Sequence, residues 1–412
     1  MHGVGTKLLT TGNSRASAHL LDVTRTASRV QKQATGIDRV ERAYLDHLIR
    51  CETPLLGLVR TRLGYLLLDR DGCAALQGQC SQLSWRNRDV LSRMTRRHDS
   101  ARGILETGLR RIALDRATPS RLKAMLQRHV PDGAVYLNVG QNNYTDRVID
   151  AVKGCTSSKS VVYVHDTIPL DLPDTQTAKS RGKFDRFLKR ADRFADMILC
   201  NSETTRRDIL RHSQITQAAD IHVIPPGVID PQCGIAPEGL WTGNPYFLAI
   251  GTIEPRKNIR FLLDLWFDIS GPDAPHLVIC GSRGWLNGDV HRDLDAKPAN
   301  IHELANLPDA ALWALLKDSN GLLFPSLAEG FGYPAFEAAQ LGVPVICNPL
   351  PVFKELLKDY PIYAGESDRY SWRKKIEQLA QRRRGQSGEQ SRQKTAHIPR
   401  WESHFNRLFT LL

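Results

Sequence analysis

Apolar residues along the chain fall into short continuous runs, separated by stretches in which they recur with helical spacing. The clearest runs are residues 19–23, 134–139, 161–165, 197–201, 246–250, 276–280, 321–324 and 344–346. Runs this short, rich in Val, Ile and Leu, suit strands covered on both faces, as in a parallel sheet, because no polar face alternates with the apolar one. Between them, residues 258–269 and 311–317 predict helices. Alternating strands and helices predict an α/β architecture of open, doubly wound sheets. Residues 230–244 interrupt the pattern with Pro231, Gly234, Pro237, Gly239 and Gly243, which predicts a boundary between two α/β halves. Polar residues 381–394 read as a loop or linker. Residues 399–412 predict a last helix with Trp401, Phe405, Leu408 and Phe409 along one face.

A length of 412 residues fits two or three domains, and 41% hydrophobic with 24% charged residues excludes wholesale disorder. No apolar run approaches the ~20 residues needed to span a bilayer. Residues 1–14 lack the apolar core of a signal peptide. The expectation is a soluble, cytoplasmic protein. The net charge of +12 favours an anionic partner: nucleotide phosphates, nucleic acid or an anionic membrane surface. Eight cysteines with no Cys-x-x-Cys pair predict buried free thiols in a reducing compartment rather than zinc or a disulfide framework.

The positive charge is densest in residues 85–129, which carry Arg86, Arg88, Arg93, Arg96, Arg97, Arg102, Arg110, Arg111, Arg116, Arg121, Lys123 and Arg128. Leu91, Met94, Ile104, Leu105, Leu109, Ile112 and Leu114 interleave with them. The pattern predicts amphipathic helices with a basic face, which either lies on an anionic leaflet or is simply solvated.

The densest chemical signal is PSLAEGFGYPAFEAAQLGVPVI, residues 325–346. After a strand, Glu329, Gly330, Phe331 and Gly332 form a tight loop, and Pro334 suits the first turn of a helix. Glycines let backbone N–H groups approach a ligand closely, and a helix N-terminus favours phosphate. Glu329 and Glu337 offer carboxylates that can accept hydrogen bonds from vicinal hydroxyls. Read alone, the segment is equally an ordinary strand–loop–helix whose Gly and Pro shape a turn.

The segment resembles the signature of retaining glycosyltransferase family 4, with its paired glutamates. GTIEPRKNI (251–259) resembles the first βα loop of that family's donor domain, and ICGSRGW (279–285) its second strand and loop. VVYVHDTIPL (161–170) resembles the His-Asp segment, ILCNSETTRRDI (198–209) and HVIPPGVI (222–229) the run into the linker, and TGIDRVERAYLDHL (35–48) the glycine loop and first helix. The resemblance covers roughly residues 20–357 and is weakest over residues 51–128.

The resemblance implies a GT-B fold: two Rossmann-like domains facing a cleft, residues 1–235 for the acceptor and 236–395 for the donor. Residues 396–412 would form a helix packing back on the first domain. It implies transfer of a hexose from a nucleotide diphosphate sugar to an acceptor hydroxyl, with retention and without a metal or other cofactor. Glu337 would hold the donor ribose, Glu329 would lie beside the transferred sugar, and the amides of Gly330, Phe331 and Gly332 would contact sugar and diphosphate. His165 would reach the sugar from the opposite domain, with Asp166 near the incoming hydroxyl. Gly251, Thr252, Arg256, Lys257 and Gly281 would complete the donor site, and Gly36 and Arg39 would approach the diphosphate or acceptor. The base should lie near residues 281–285 and 302–308.

Thr252 stands where many members carry a basic residue, so phosphate neutralisation would rest on Arg256, Lys257 and backbone amides. With a reference pKa of ~3.9, Asp166 would be ionised and a weak base, which favours front-face transfer with the leaving phosphate oxygen accepting the proton. The acceptor expected is a glycan, on a lipid carrier, in surface polysaccharide synthesis, with mannose as the sugar and with peripheral contact at the inner face of the cytoplasmic membrane. Alternatives are an epimerase of the same layout, a non-catalytic subunit, or a nucleic-acid-binding protein, although no nucleic-acid module is recognisable.

Overall fold

The computed structural model describes residues 16–81, 83–213, 220–269, 274–381 and 396–412. The leader reading of residues 1–14 and nearly all of the polar stretch 381–394 fall outside them.

Two sheets organise the chain. The first contains β1 (His19–Asp22), β2 (Leu55–Arg60), β3 (Tyr65–Leu68), β4 (Asp115–Ala117), β5 (Val135–Asn138), β6 (Lys159–Val164), β7 (Met197–Cys200) and β8 (Asp220–Val223), in the order β4-β3-β2-β1-β5-β6-β7-β8. The second contains β9 (Tyr246–Ile250), β10 (His276–Cys280), β11 (Ile301–Leu304), β12 (Gly321–Phe324), β13 (Val345–Cys347) and β14 (Ile362–Tyr363), in the order β11-β10-β9-β12-β13-β14. All pairs in the second sheet are parallel. The first departs from the parallel expectation at one edge, where β3 runs antiparallel to both β2 and β4. A short β2–β3 connection (residues 61–64) explains this, since a parallel pair needs a crossover of a dozen residues or more.

Central strands such as β1, β5 and β12 are buried at every position, as continuous apolar runs require. Between β8 and β9 the described chain forms no helix or strand. The Trp401–Leu411 helix returns to the first sheet's core: Phe405, Leu408 and Phe409 pack with Leu21, Val23, Tyr44 and Leu48. Its His404 bridges Tyr44 Oη at 2.8 Å and the Pro225 carbonyl at 2.9 Å.

In each sheet the chain moves outward from one central strand, then resumes on its other side. The reversals fall between β1 and β5 and between β9 and β12. Open α/β sheets bind ligands in the crevice beyond the carboxyl ends of strands at such a reversal. The loops leaving β6, β9 and β12 carry the residues singled out above.

The cation–carboxylate cleft as candidate active site

The loop leaving β9 is shaped around Lys257. Gly251 has φ +139°, and a Cβ there would come within 3.0 Å of Lys257 Cε. Pro255–Lys257 form one 3₁₀ turn that ends at Asn258 in the left-handed region. This turn sets both cations on the loop that follows β12: Leu327 N donates to the Arg256 carbonyl at 2.8 Å, and Arg256 Nη1 donates to the Ala328 carbonyl at 3.2 Å. Glu329 then receives two cations, Lys257 Nζ at 2.5 Å and Arg256 Nη1 at 3.1 Å. Arg256 Nε also meets Glu254 at 2.6 Å.

The electrostatics follow from that enclosure. Burial alone would raise the Glu329 carboxyl, but Lys257 and Arg256 together hold it down at about 2. Lys257 is itself shifted downward, because desolvation of the ammonium outweighs the pull of Glu329. Glu254 is a residue that the sequence reading missed, although it stands two positions before Arg256 in the same motif.

Gly281 plays a packing part: a Cβ would lie 1.9 Å from the Gly251 carbonyl oxygen, so only glycine lets the loops after β9 and β10 touch. The methyl of Thr252 faces Gly284, where a Cβ would meet it at 2.8 Å. Trp285 Nε1 crosses to the first unit and donates to the Thr175 carbonyl at 3.0 Å.

Phe331 turns its ring into the core, stacked on Phe336 at 4.5 Å, leaving its backbone to the loop. Gly332 has φ +87° and caps the Tyr333–Gln340 helix, with Phe353 so close that a Cβ would sit 2.5 Å from its ring. Gly330 touches the opposite unit. A Cβ there would be 2.5 Å from the His165 carbonyl oxygen and 3.2 Å from Asp166 Oδ2.

His165 and Asp166 end β6. The His165 Nε2 is 2.7 Å from the Val139 carbonyl, which fixes the neutral ring with its proton on Nε2, and burial lowers its pKa to about 4. Asn201 Nδ2 donates to the His165 carbonyl at 2.6 Å, fixing the backbone as well. Asp166 departs from the expectation of an ordinary ionised carboxylate. Desolvation raises it to about 6 despite Arg256 nearby, with Glu329 and Glu254 adding to the rise. A carboxyl at that level is a better base than its sequence context suggests.

Glu337, buried on the Tyr333–Gln340 helix, is paired with Arg39 of the first unit. Arg39 lies in the first turns of the Gly36–Arg50 helix, started by a capping box between Thr35 and Asp38. Asp38 also accepts from Arg25 at 2.6 Å and Arg29 at 2.7 Å, so it is committed to holding that helix start. Gly36 abuts Tyr333, whose ring carbon would be 3.2 Å from a Cβ. The sequence reading set Glu337 and Arg39 in separate roles; the fold joins them.

Part of the expected basic face is neutralised by the segment's own carboxylates. Arg96 and Arg102 meet Glu106 at 2.6 and 2.9 Å, Arg110 meets Asp89 at 2.7 Å, and Arg128 meets Asp115 at 2.8 Å. Leu105 and Leu109 are buried in the core. The eight cysteines are free thiols: five are buried, Cys51 and Cys80 are half-buried, and Cys233 is exposed.

Residues 235–395 match the family model of glycosyl transferases group 1, and residues 92–230 match that of Glycosyltransferase Family 4. The serotype-specific mannosyltransferase WbdA of Escherichia coli is 31% identical over 228 residues, half of this chain and 28% of its own length. The O-antigen chain mannosyltransferase B of Escherichia coli is 36% identical over 132 residues, 31% of this chain and 34% of its own. The chain thus spans about a third of the length of these relatives. Among solved structures, Anabaena HepE in complex with UDP and glucose superposes with a TM-score of 0.59 at 12% identity, covering 96% of this chain and 99% of that one. TarM gives 0.53 at 15% identity, covering 75% and 60%. These likenesses do not favour the epimerase or nucleic-acid readings. With family models of glycosyl transferases matching residues 92–230 and 235–395, one on each of the two α/β sheets' halves, the chain belongs to the group 1, family 4 glycosyltransferases of GT-B fold.

Proposed function

We propose that the chain transfers a hexose, mannose by analogy with its relatives, from a nucleoside diphosphate sugar to a hydroxyl of a growing glycan, with retention of configuration. The observation that carries this reading is Glu329, held ionised by Lys257 and Arg256 in a loop whose next residue, Gly330, abuts His165 and Asp166. In this reading Glu337 grips the ribose diol. The amides of residues 330–332, at the start of the Tyr333–Gln340 helix, face the diphosphate. His165 orients the sugar from the first unit, and Asp166 lies near the incoming hydroxyl. As the bond from the anomeric carbon to phosphate oxygen breaks, the acceptor oxygen bonds to that carbon on the same face. The acceptor's proton passes to the departing phosphate oxygen. Arg256, Lys257 and the helix amides stabilise the developing charge without a resident metal.

The acceptor fits a lipid-linked glycan of surface polysaccharide synthesis, worked on at the cytoplasmic face of the membrane. No described helix is long and apolar enough to cross a membrane. Support for surface contact comes from the Val90–Thr95 helix, where Val90, Leu91 and Met94 are exposed beside Arg86, Arg93 and Arg97.

Calorimetry with UDP and GDP, without and with Mg²⁺, tests the donor site. Metal-free micromolar binding of one nucleotide supports the reading, and binding of neither by folded protein overturns it. Glu337→Ala should weaken nucleotide binding, whereas Glu329→Ala should lower turnover more than affinity. Wild-type transfer by both variants would reject the assignment.

A further inference from the structure

Arg39 and Glu337 lie 298 residues apart in sequence and belong to different units, yet they form an ion pair across the cleft. The Glu337 side chain is 2% exposed and that of Arg39 18%. A carboxylate so enclosed needs a partner. A vicinal diol grips a carboxylate through both oxygens, so a ribose and Arg39 compete for the same group. The other contacts of Arg39 are weaker: Asp309 at 3.2 Å, itself 37% exposed, and the Tyr333 ring face at 5.7 Å.

The two cations of the loop after β9 are already opposed by carboxylates. Arg256 and Lys257 face Glu254 and Glu329, two charges against two, and position 252 is threonine. The Tyr333 hydroxyl, buried next to Arg39, has no hydrogen-bond partner among the described residues. Since Gly36 packs on Tyr333, the start of the Arg39 helix is seated at the start of the Tyr333–Gln340 helix, the end that favours phosphate.

We infer that Arg39 is an exchangeable cation: the donor ribose takes Glu337 from it, and the released guanidinium moves to the diphosphate, supplying the charge that Thr252 does not. This rests on the proposed donor site and adds to it a positioning residue delivered by the opposite unit. It makes a doubly signed prediction, because Arg39 opposes the ribose and assists the phosphates.

The test is calorimetric, without metal, using uridine, guanosine, UDP and GDP, with nucleosides measured by competition. In Arg39→Gln the preferred nucleoside should bind several-fold tighter than in wild type. The corresponding diphosphate should bind about tenfold more weakly, the loss of one charge-assisted hydrogen bond. Arg39→Lys should keep diphosphate affinity within a few-fold, which guards against a folding defect in the glutamine variant. If Arg39→Gln shifts both ligands in the same direction, or neither, the exchange is wrong while the donor site stands. If Glu337→Ala binds nucleoside as wild type does, the ribose assignment fails first and takes the exchange with it.

Discussion

Glu41 shows how much a single buried group governs here. It is 1% exposed, and its Oε1 accepts from the Thr26 amide at 2.6 Å. Desolvation is the main cause of a pKa raised to about 8, with Asp22 adding to it. The folded carboxyl therefore stays protonated where the unfolded one, at 4.5, has ionised. Its contribution to stability is fully present below pH 4.5 and is lost as pH rises through 8, at about 1.4 kcal/mol per unit. Glu41→Gln keeps an acceptor for Thr26 and removes the titration. Urea midpoints of variant and wild type should nearly coincide at pH 4.5 and separate toward pH 8, the variant being more stable. Parallel curves would show that Glu41 does not titrate this way. Gly330 gives a second prediction at this scale. A methyl at 2.5 Å from the His165 carbonyl must displace the loop, and a misplacement of about 1 Å at a reacting centre costs roughly 10²-fold in rate. Gly330→Ala should lose kcat by that order with a near-unchanged Tm.

Helix and strand boundaries show what was legible and what was not. Runs at β9, β10 and β12 were readable to the residue, since strands buried on both faces leave an unbroken apolar signature. Edge strands left none: β4 is Asp-Arg-Ala, β11 is Ile-His-Glu-Leu with only its first residue buried, and β14 has two residues. The β2–β3 hairpin is apolar, but it lies in the stretch of weakest resemblance, where nothing marked its antiparallel turn. Lys257 and Glu329 are assigned to one site through the family resemblance alone, in separate roles. The Arg39–Glu337 pair was not legible, because no local pattern links residues of two units. The same applies to Glu355, on the Pro351–Leu356 helix, which caps the Glu203–His212 helix of the other unit. Its carboxylate accepts from the Glu203 amide at 2.6 Å and from the Thr204 amide at 2.8 Å. An acidic cap of this kind is worth about 1–2 kcal/mol. Glu355→Ala should lower the denaturation free energy by that amount and speed hydrogen exchange at residues 203–206. Unchanged exchange there would deny the cap a role in holding the units together.

At the scale of the molecule, an excess of twelve positive charges is spread unevenly. Four arginines of the 85–129 stretch are tied to carboxylates and build the fold. Arg86, Arg93, Arg97 and Arg111 are exposed and have no ion pair among the described residues. Around them Val90, Leu91 and Met94 are 67%, 47% and 70% exposed, an apolar tip that solvation alone does not account for. A pocket of about 220 Å³ between Trp85, Arg86, Arg111 and Ile112 adjoins the stretch. If this face meets an anionic leaflet, each of the four arginines contributes ~1 kcal/mol and the apolar tip adds a component that salt does not screen. Co-sedimentation with vesicles containing anionic phospholipid should therefore be strong at low salt and partly retained at about 0.5 M, where screening shortens the reach of the arginine charges. Leu91→Asp with Met94→Asp should abolish the retained fraction, since both side chains lie clear of the cleft and of the core. Replacing Arg86 and Arg93 with Gln should instead reduce the salt-sensitive fraction by about half. If neither variant alters vesicle binding, or if wild type ignores anionic vesicles, the basic face is a solvated surface and the acceptor reaches the cleft without a membrane platform at this stretch.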